Sequence, residues 1–157
     1  LVCLSDLLAT CADIVNETLP DAAGEDSISW LPLFQGTENP IRSHVIHHSI
    51  QGKFAIRDNH WKLVLSPGSG GWSKNDAQAA QEGLPLVQLY NLSTDPEEQH
   101  NLHNQHPQKV REMITLLEKL IADGRSTPGT PQKNDAPIDI WKFDTMPTAN
   151  PKALDDY

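Results

Sequence analysis

Cysteine is almost absent from this chain of 157 residues, which has only Cys3 and Cys11. On a single helix rising 1.5 Å per residue they would stand roughly 12 Å apart. That is beyond the reach of a disulfide, so both read as small buried hydrophobes that report nothing about redox compartment. Cations are scarce as well: 12 Lys and Arg face 21 Asp and Glu, a net charge of -9 that opposes the counterion release on which nucleic-acid affinity rests. Nucleic acid is therefore excluded as a partner. No apolar run approaches the ~20 residues of a bilayer span, so a membrane is not expected either. The opening LVCLSDLLAT has no basic leader or small-residue cleavage site, and any targeting signal is expected upstream of Leu1. Hydrophobic residues make up 38% against 12 prolines, so the packed region should be smaller than the chain.

What is present divides into three segments. Residues 1–36 hold a helix over 5–17, with Ser5 as N-cap and an apolar stripe of Leu7, Leu8, Cys11, Ala12, Ile14 and Val15. A loop follows, with one turn around Trp30–Phe34, capped by Asp26 or Ser27, that buries Trp30, Leu33 and Phe34. Residues 37–124 change to a period of two. Strands are expected over 44–49, KFAIRD, WKLVLS and VQLYNL, with Phe54, Ile56, Leu63 and Leu65 on one face and a structured surface loop between Ser66 and Pro85. Pro107 then opens a helix striped by Val110, Met113, Ile114, Leu117, Leu120 and Ile121, and Gly124 closes it. Residues 125–157 form a Pro-rich tail, held by Trp141 and Phe143. The expected class is α+β: a small antiparallel sheet of about four strands packed against the long helix.

Function on such a scaffold must be argued from sites. His47 and His48 are adjacent on a strand and point to opposite faces, so at most one is expected at a cleft and the two cannot share one metal. His48 is preferred as a substrate contact, beside Ile46 and Ile50. His100, His103 and His106 recur every three residues, but Pro107 puts them before the helix, where ligation is poorly supported. The glycines of Gly68-Ser69-Gly70-Gly71-Trp72 could form a nest of backbone N–H groups, and Trp72 offers a flat ring for stacking on a sugar. Among Arg42, Lys53, Arg57 and Lys62, the two lysines read as solvated strand-edge charges.

QLYNLSTDPEEQHNL, at residues 88–102, resembles the L-Y-D-L-x-x-D-P-x-E-x-x-N-L signature of type I, formylglycine-dependent sulfatases of the alkaline phosphatase superfamily. CLSDLLATCADIV with DSISWLPLFQG, and HHSIQGKFAIRDNHWKLVLSPGSGG, resemble the helix, loop and three-strand meander of the same family, so that the likeness runs over most of residues 3–121. The resemblance implies the C-terminal subdomain of a sulfatase, preceded by a helix belonging to an α/β catalytic domain that this chain lacks. It implies hydrolysis of aryl or carbohydrate sulfate esters by the full-length enzyme, with calcium and formylglycine in the missing domain and none in this chain. Cys3 and Cys11 are outside the C/S-x-P-S-R setting of the nucleophile. Asp58-Asn59 and Asp155-Asp156 are outside the settings of the metal ligands. No catalytic or metal residue is therefore assigned, and the chain alone is expected to be inactive. His48, His47 and Trp72 are the substrate-binding candidates, the missing catalytic domain and a sulfated small molecule or glycan the expected partners, and an extracytoplasmic location follows from the family. The alternative is a free-standing, non-catalytic domain that binds a partner or glycan.

Overall fold

The structure, a computed structural model, describes residues 1–142. Phe143 and Asp155-Asp156 lie outside the described residues. The chain forms two compact units, one of Leu1–Val45 with Glu118–Pro137, the other of Ile46–Leu117 with the described residues from Ile138 onward. Among the described residues nine elements follow one another: a 3-10 turn (Leu4–Asp6), α1 (Leu7–Ile14), α2 (Leu31–Phe34), β1 (His44–His48), β2 (Phe54–Asp58), β3 (Trp61–Val64), α3 (Asp76–Gln81), β4 (Gln88–Asn91) and α4 (Pro107–Ala122).

The first unit is organised by a buried carboxylate. Asp6 is fully buried, and its Oδ1 accepts from Ile28 N at 3.0 Å and Arg42 Nη2 at 2.5 Å. Its Oδ2 accepts from Cys3 N at 2.8 Å and Trp30 Nε1 at 3.0 Å. Thr10, one helical turn on, returns its hydroxyl to Asp6 O at 2.7 Å and accepts from Trp30 N at 2.9 Å. The helix therefore presents its polar side inward. Leu4, Leu7, Leu8, Ile14 and Val15 are each at least half exposed, and Cys11 is exposed with them. This corrects the expectation of buried thiols; the apolar periodicity is real, and the side it marks has no cover among the described residues. Ser5 is not the cap either, since its hydroxyl donates to Asp26 O, and Ser27 Oγ accepts from Ala9 N instead of capping α2. Trp30 is half-buried, whereas Phe34 is exposed.

The second unit is built on an antiparallel sheet in the order β1-β2-β3-β4. Its register aligns Ile56 with Leu63 and Leu63 with Leu89, so one face carries Phe54, Ile56, Leu63, Leu65, Val87 and Leu89, all buried. The helix stripe of Val110, Met113, Ile114 and Leu117 is buried with them and completes the core. Lys109 Nζ bonds Asp58 Oδ2 at 3.0 Å and the rings of Trp61 and His106 meet at 5.2 Å, fixing the first turn of α4 to the β2–β3 hairpin. Asn101 continues the edge strand in place of a fifth: its Oδ1 accepts from Leu89 N and its Nδ2 donates to Val87 O. The second face, with Ala55, Val64, Lys62 and Gln88, borders a cavity.

The segment between Ser66 and Pro85 is a structured loop with Trp72, Ser73 and Asn75 exposed and its first residues held in the interior. Ser66, Pro67, Gly68 and Gly70 are buried, and α3 lies within it, capped where Asn75 Oδ1 accepts from Gln78 N at 2.9 Å and Gln78 Oε1 from Asn75 N.

Leu117 has no exposed surface. Leu117→Ala should cost about 2–5 kcal/mol in denaturant unfolding. An unchanged midpoint would mean that the stripe supports nothing.

Candidate substrate cavity

A cavity of about 390 Å³ lies over the second face of the sheet, and both lysines once read as solvated border it. Lys53 precedes β2 and is only 2% exposed; its Nζ meets Asp76 Oδ2, at the start of α3, at 2.7 Å. Burying a cation is tolerable only with a close counter-charge and further hydrogen bonds. Asp76 Oδ1 accepts from Ser66 Oγ at 2.9 Å, while Lys53 Nζ also reaches Lys142 O at 3.4 Å. Ser66 Oγ in turn accepts from Gly68 N. The ion pair thus locks the glycine loop onto the sheet.

The glycines are small for that reason. A Cβ at Gly68 would fall 2.6 Å from Lys74 O, and one at Gly70, where φ is +64°, 2.7 Å from Ser49 Cβ. The loop's N–H groups serve the loop itself, Ser69 N donating to Lys74 O and Gly71 N to Ser69 Oγ, so they do not form a nest for an anion.

Lys62 projects from β3 and is held by Glu98, Nζ lying 2.6 Å from Oε1 and 2.8 Å from Oε2. Glu98 adopts a left-handed φ of +57°, a conformation that disfavours any side chain, on the turn after Asp95. Asp95 fastens that turn by accepting from Gln99 N and His100 N, and these bonds hold its carboxyl below the ordinary range. Gln88 completes the wall with its amide committed, Nε2 to Ser66 O and Gly68 O and Oε1 to the Tyr90 hydroxyl.

His47 and His48 both border the cavity, where simple strand alternation allowed only one. The ring of His48 lies against Phe54, centroids 4.2 Å apart. Trp72 stands outside the cavity wall, 88% exposed, two residues beyond Gly70. The three histidines that precede α4 diverge. His100 is exposed beside Asp95, His103 is buried with its pKa lowered by desolvation, and His106 meets Trp61. Of the remaining cations, Arg42 is buried on Asp6 and Arg57 Nε bonds Asn59 O. The residues that sequence reasoning missed are Glu98, in the cavity wall, and Asp76, each the counter-charge of a lysine of that wall. The D-P-x-E pattern contains Glu98 but does not reveal its partner.

No protein-family model matches the chain. It is 31% identical over 118 residues to an N-acetylgalactosamine-6-O-sulfatase of Bacteroides thetaiotaomicron, which covers 73% of this chain and 22% of that protein. It is 27% identical to an ulvan-active sulfatase of Formosa agariphila (78% of this chain, 28% of that protein) and 25% identical to arylsulfatase K of Xenopus laevis (90% and 26%). A solved structure described under the metabolism of multiple glycosaminoglycans by Bacteroides thetaiotaomicron shares 30% identity, with a TM-score of 0.59 over 73% of this chain and 24% of that one. The homologues are sulfatases. The chain spans about a quarter of the length of these sulfatases. A protein crystallised with k-i-k-neocarrahexaose, at 22% identity and a TM-score of 0.53, shares the fold over 96% of this chain.

Among the described residues no group of three or more His, Cys, Asp or Glu side chains could hold a metal ion.

Asp76→Asn would leave the Lys53 ammonium buried without a counter-charge and should destabilise the chain by about 3–5 kcal/mol. The double replacement Lys53→Met with Asp76→Leu should recover most of that loss. Equal destabilisation by the single and double variants, measured by thermal unfolding, would show that shape and not charge holds the loop.

Proposed function

We propose that this chain is the C-terminal part of a sulfatase that hydrolyses carbohydrate sulfate esters outside the cytoplasm, that it braces the catalytic domain, and that His48, His47 and Trp72 contribute to the rim of the substrate site. The observation that carries the bracing role is the inside-out helix α1. Its larger apolar side chains at 7, 8, 11 and 14, with Leu4 and Val15 at its two ends, recur at the spacing of one continuous helical face and are exposed. A contiguous apolar face on a water-soluble fold marks an interface. Sequence similarity over 73% of this chain but 22% of that relative supports the larger remainder of a sulfatase as the occupant. Calcium and formylglycine belong to that remainder. It follows that residues 1–157 alone release no sulfate from an aryl sulfate, and turnover by the purified chain would sink the division of labour.

Leu7→Glu with Ile14→Glu should lower the unfolding temperature of the complete polypeptide by several degrees while leaving the 157-residue chain unchanged, because only the former has the face covered. Equal temperatures in the complete polypeptide would favour the free-standing, glycan- or partner-binding reading.

At the rim, His48→Ala in the complete enzyme should reduce kcat/KM about tenfold for a sulfated oligosaccharide and leave a small aryl sulfate within about twofold, since a lost contact matters only where the substrate offers a partner. Equal losses would implicate folding or chemistry at the sulfate instead.

A further inference from the structure

We infer that the cavity over the sheet receives an uncharged stretch of sugar chain beside the sulfated residue, and that its Lys62–Glu98 pair reads hydroxyl groups and turns the sulfate itself away. This rests on the carbohydrate reading above and deepens it. Both cations of the wall are already matched: Lys53 by Asp76 at 2.7 Å, Lys62 by both oxygens of Glu98. A sulfate ester has only acceptor oxygens, and so does the Glu98 carboxylate, so a sulfate reaching Lys62 must lie against a like charge. A sugar hydroxyl both donates and accepts. Two neighbouring hydroxyls can give a proton to Glu98 and take one from Lys62 without breaking the pair.

The rest of the wall agrees. Ala55 and Val64 form an apolar floor suited to the C–H face of a sugar ring, and about 390 Å³ falls within the roughly 300–1,000 Å³ of small-molecule sites. Two exposed apolar side chains flank it: Ile50, next to the wall residue Ser49, and Trp72, just past Gly70. The two loops that carry them are joined by the bond from Gln51 N to Gly70 O, at 3.3 Å. This is the layout for a ligand longer than one ring, its hydroxyls in the cavity and a further ring on the indole.

The test uses the 157-residue chain and three probes: a neutral galactose–N-acetylgalactosamine disaccharide, the same disaccharide sulfated at O6, and inorganic sulfate. Amide NMR shifts of Ala55 and Val64 and the fluorescence of Trp72 report binding, with Trp72→Phe isolating its signal. Both disaccharides should bind with dissociation constants on the order of 1–10 mM and within about threefold of each other, and inorganic sulfate should not compete. Glu98→Gln, checked for folding by circular dichroism, should favour the sulfated disaccharide at least tenfold by freeing Lys62, and Lys62→Met should abolish that preference. A wild-type preference of tenfold or more for the sulfated disaccharide, displaced by inorganic sulfate, would make the cavity an anion site and overturn the inference; so would no response to either sugar. Neither outcome touches the sulfatase reading, which stands or falls on sulfate release by the complete polypeptide.

Discussion

The buried pair between Lys53 and Asp76 is the constraint on which the second unit depends. An ammonium that is 98% out of water must be satisfied where it lies, and Asp76 reaches it only if α3 begins where it does. That requirement pulls Ser66 and Gly68 into the same network and seats a glycine-rich segment against the sheet, where it would otherwise trail in solvent. The cavity exists because the loop is seated. Its polar character is also settled there, since the charge nearest the floor is neutralised before any ligand arrives.

Asp6 plays the corresponding part in the first unit. One carboxylate collects two backbone N–H groups, an indole and a guanidinium, and so ties the start of α1 to the segment from Ile28 to Arg42. Both units thus use an acidic residue at or just before a helix start to gather distant chain, with the N-terminal end of the helix favouring the negative charge. The difference lies in what surrounds them. Asp76 sits beside a complete apolar core, whereas Asp6 takes the inner side of a helix whose apolar side is left outside.

The elements were largely legible and their polar connections were not. Strands at 44–48, 54–58, 61–64 and 88–91 and a helix from Pro107 were readable because side-chain period and turn chemistry are local properties. The helix α3 escaped notice among glycines although Asn75 and Gln78 spell a capping box, a signal of four residues outweighed by its flexible surroundings. The pairs Arg42–Asp6, Lys53–Asp76 and Lys62–Glu98 could not be read, because an ion pair between distant positions leaves no periodicity. Lys53 was misread for that reason: alone, a lysine before a strand belongs in water. In α1 the apolar stripe was visible, but the Asp6 network that turns the opposite side of the helix inward was not.

Glu98 carries two demands that pull against each other. Its backbone, at a φ of +57°, would be most comfortable as glycine or asparagine, while its side chain must supply the carboxylate that clasps Lys62. Anyone stabilising this domain by relaxing unfavourable backbone would choose this position early. The replacement would improve the turn and unfasten a lysine of the cavity wall, so thermal resistance gained there would come with a changed charge in the cavity, and the two properties would have to be selected together.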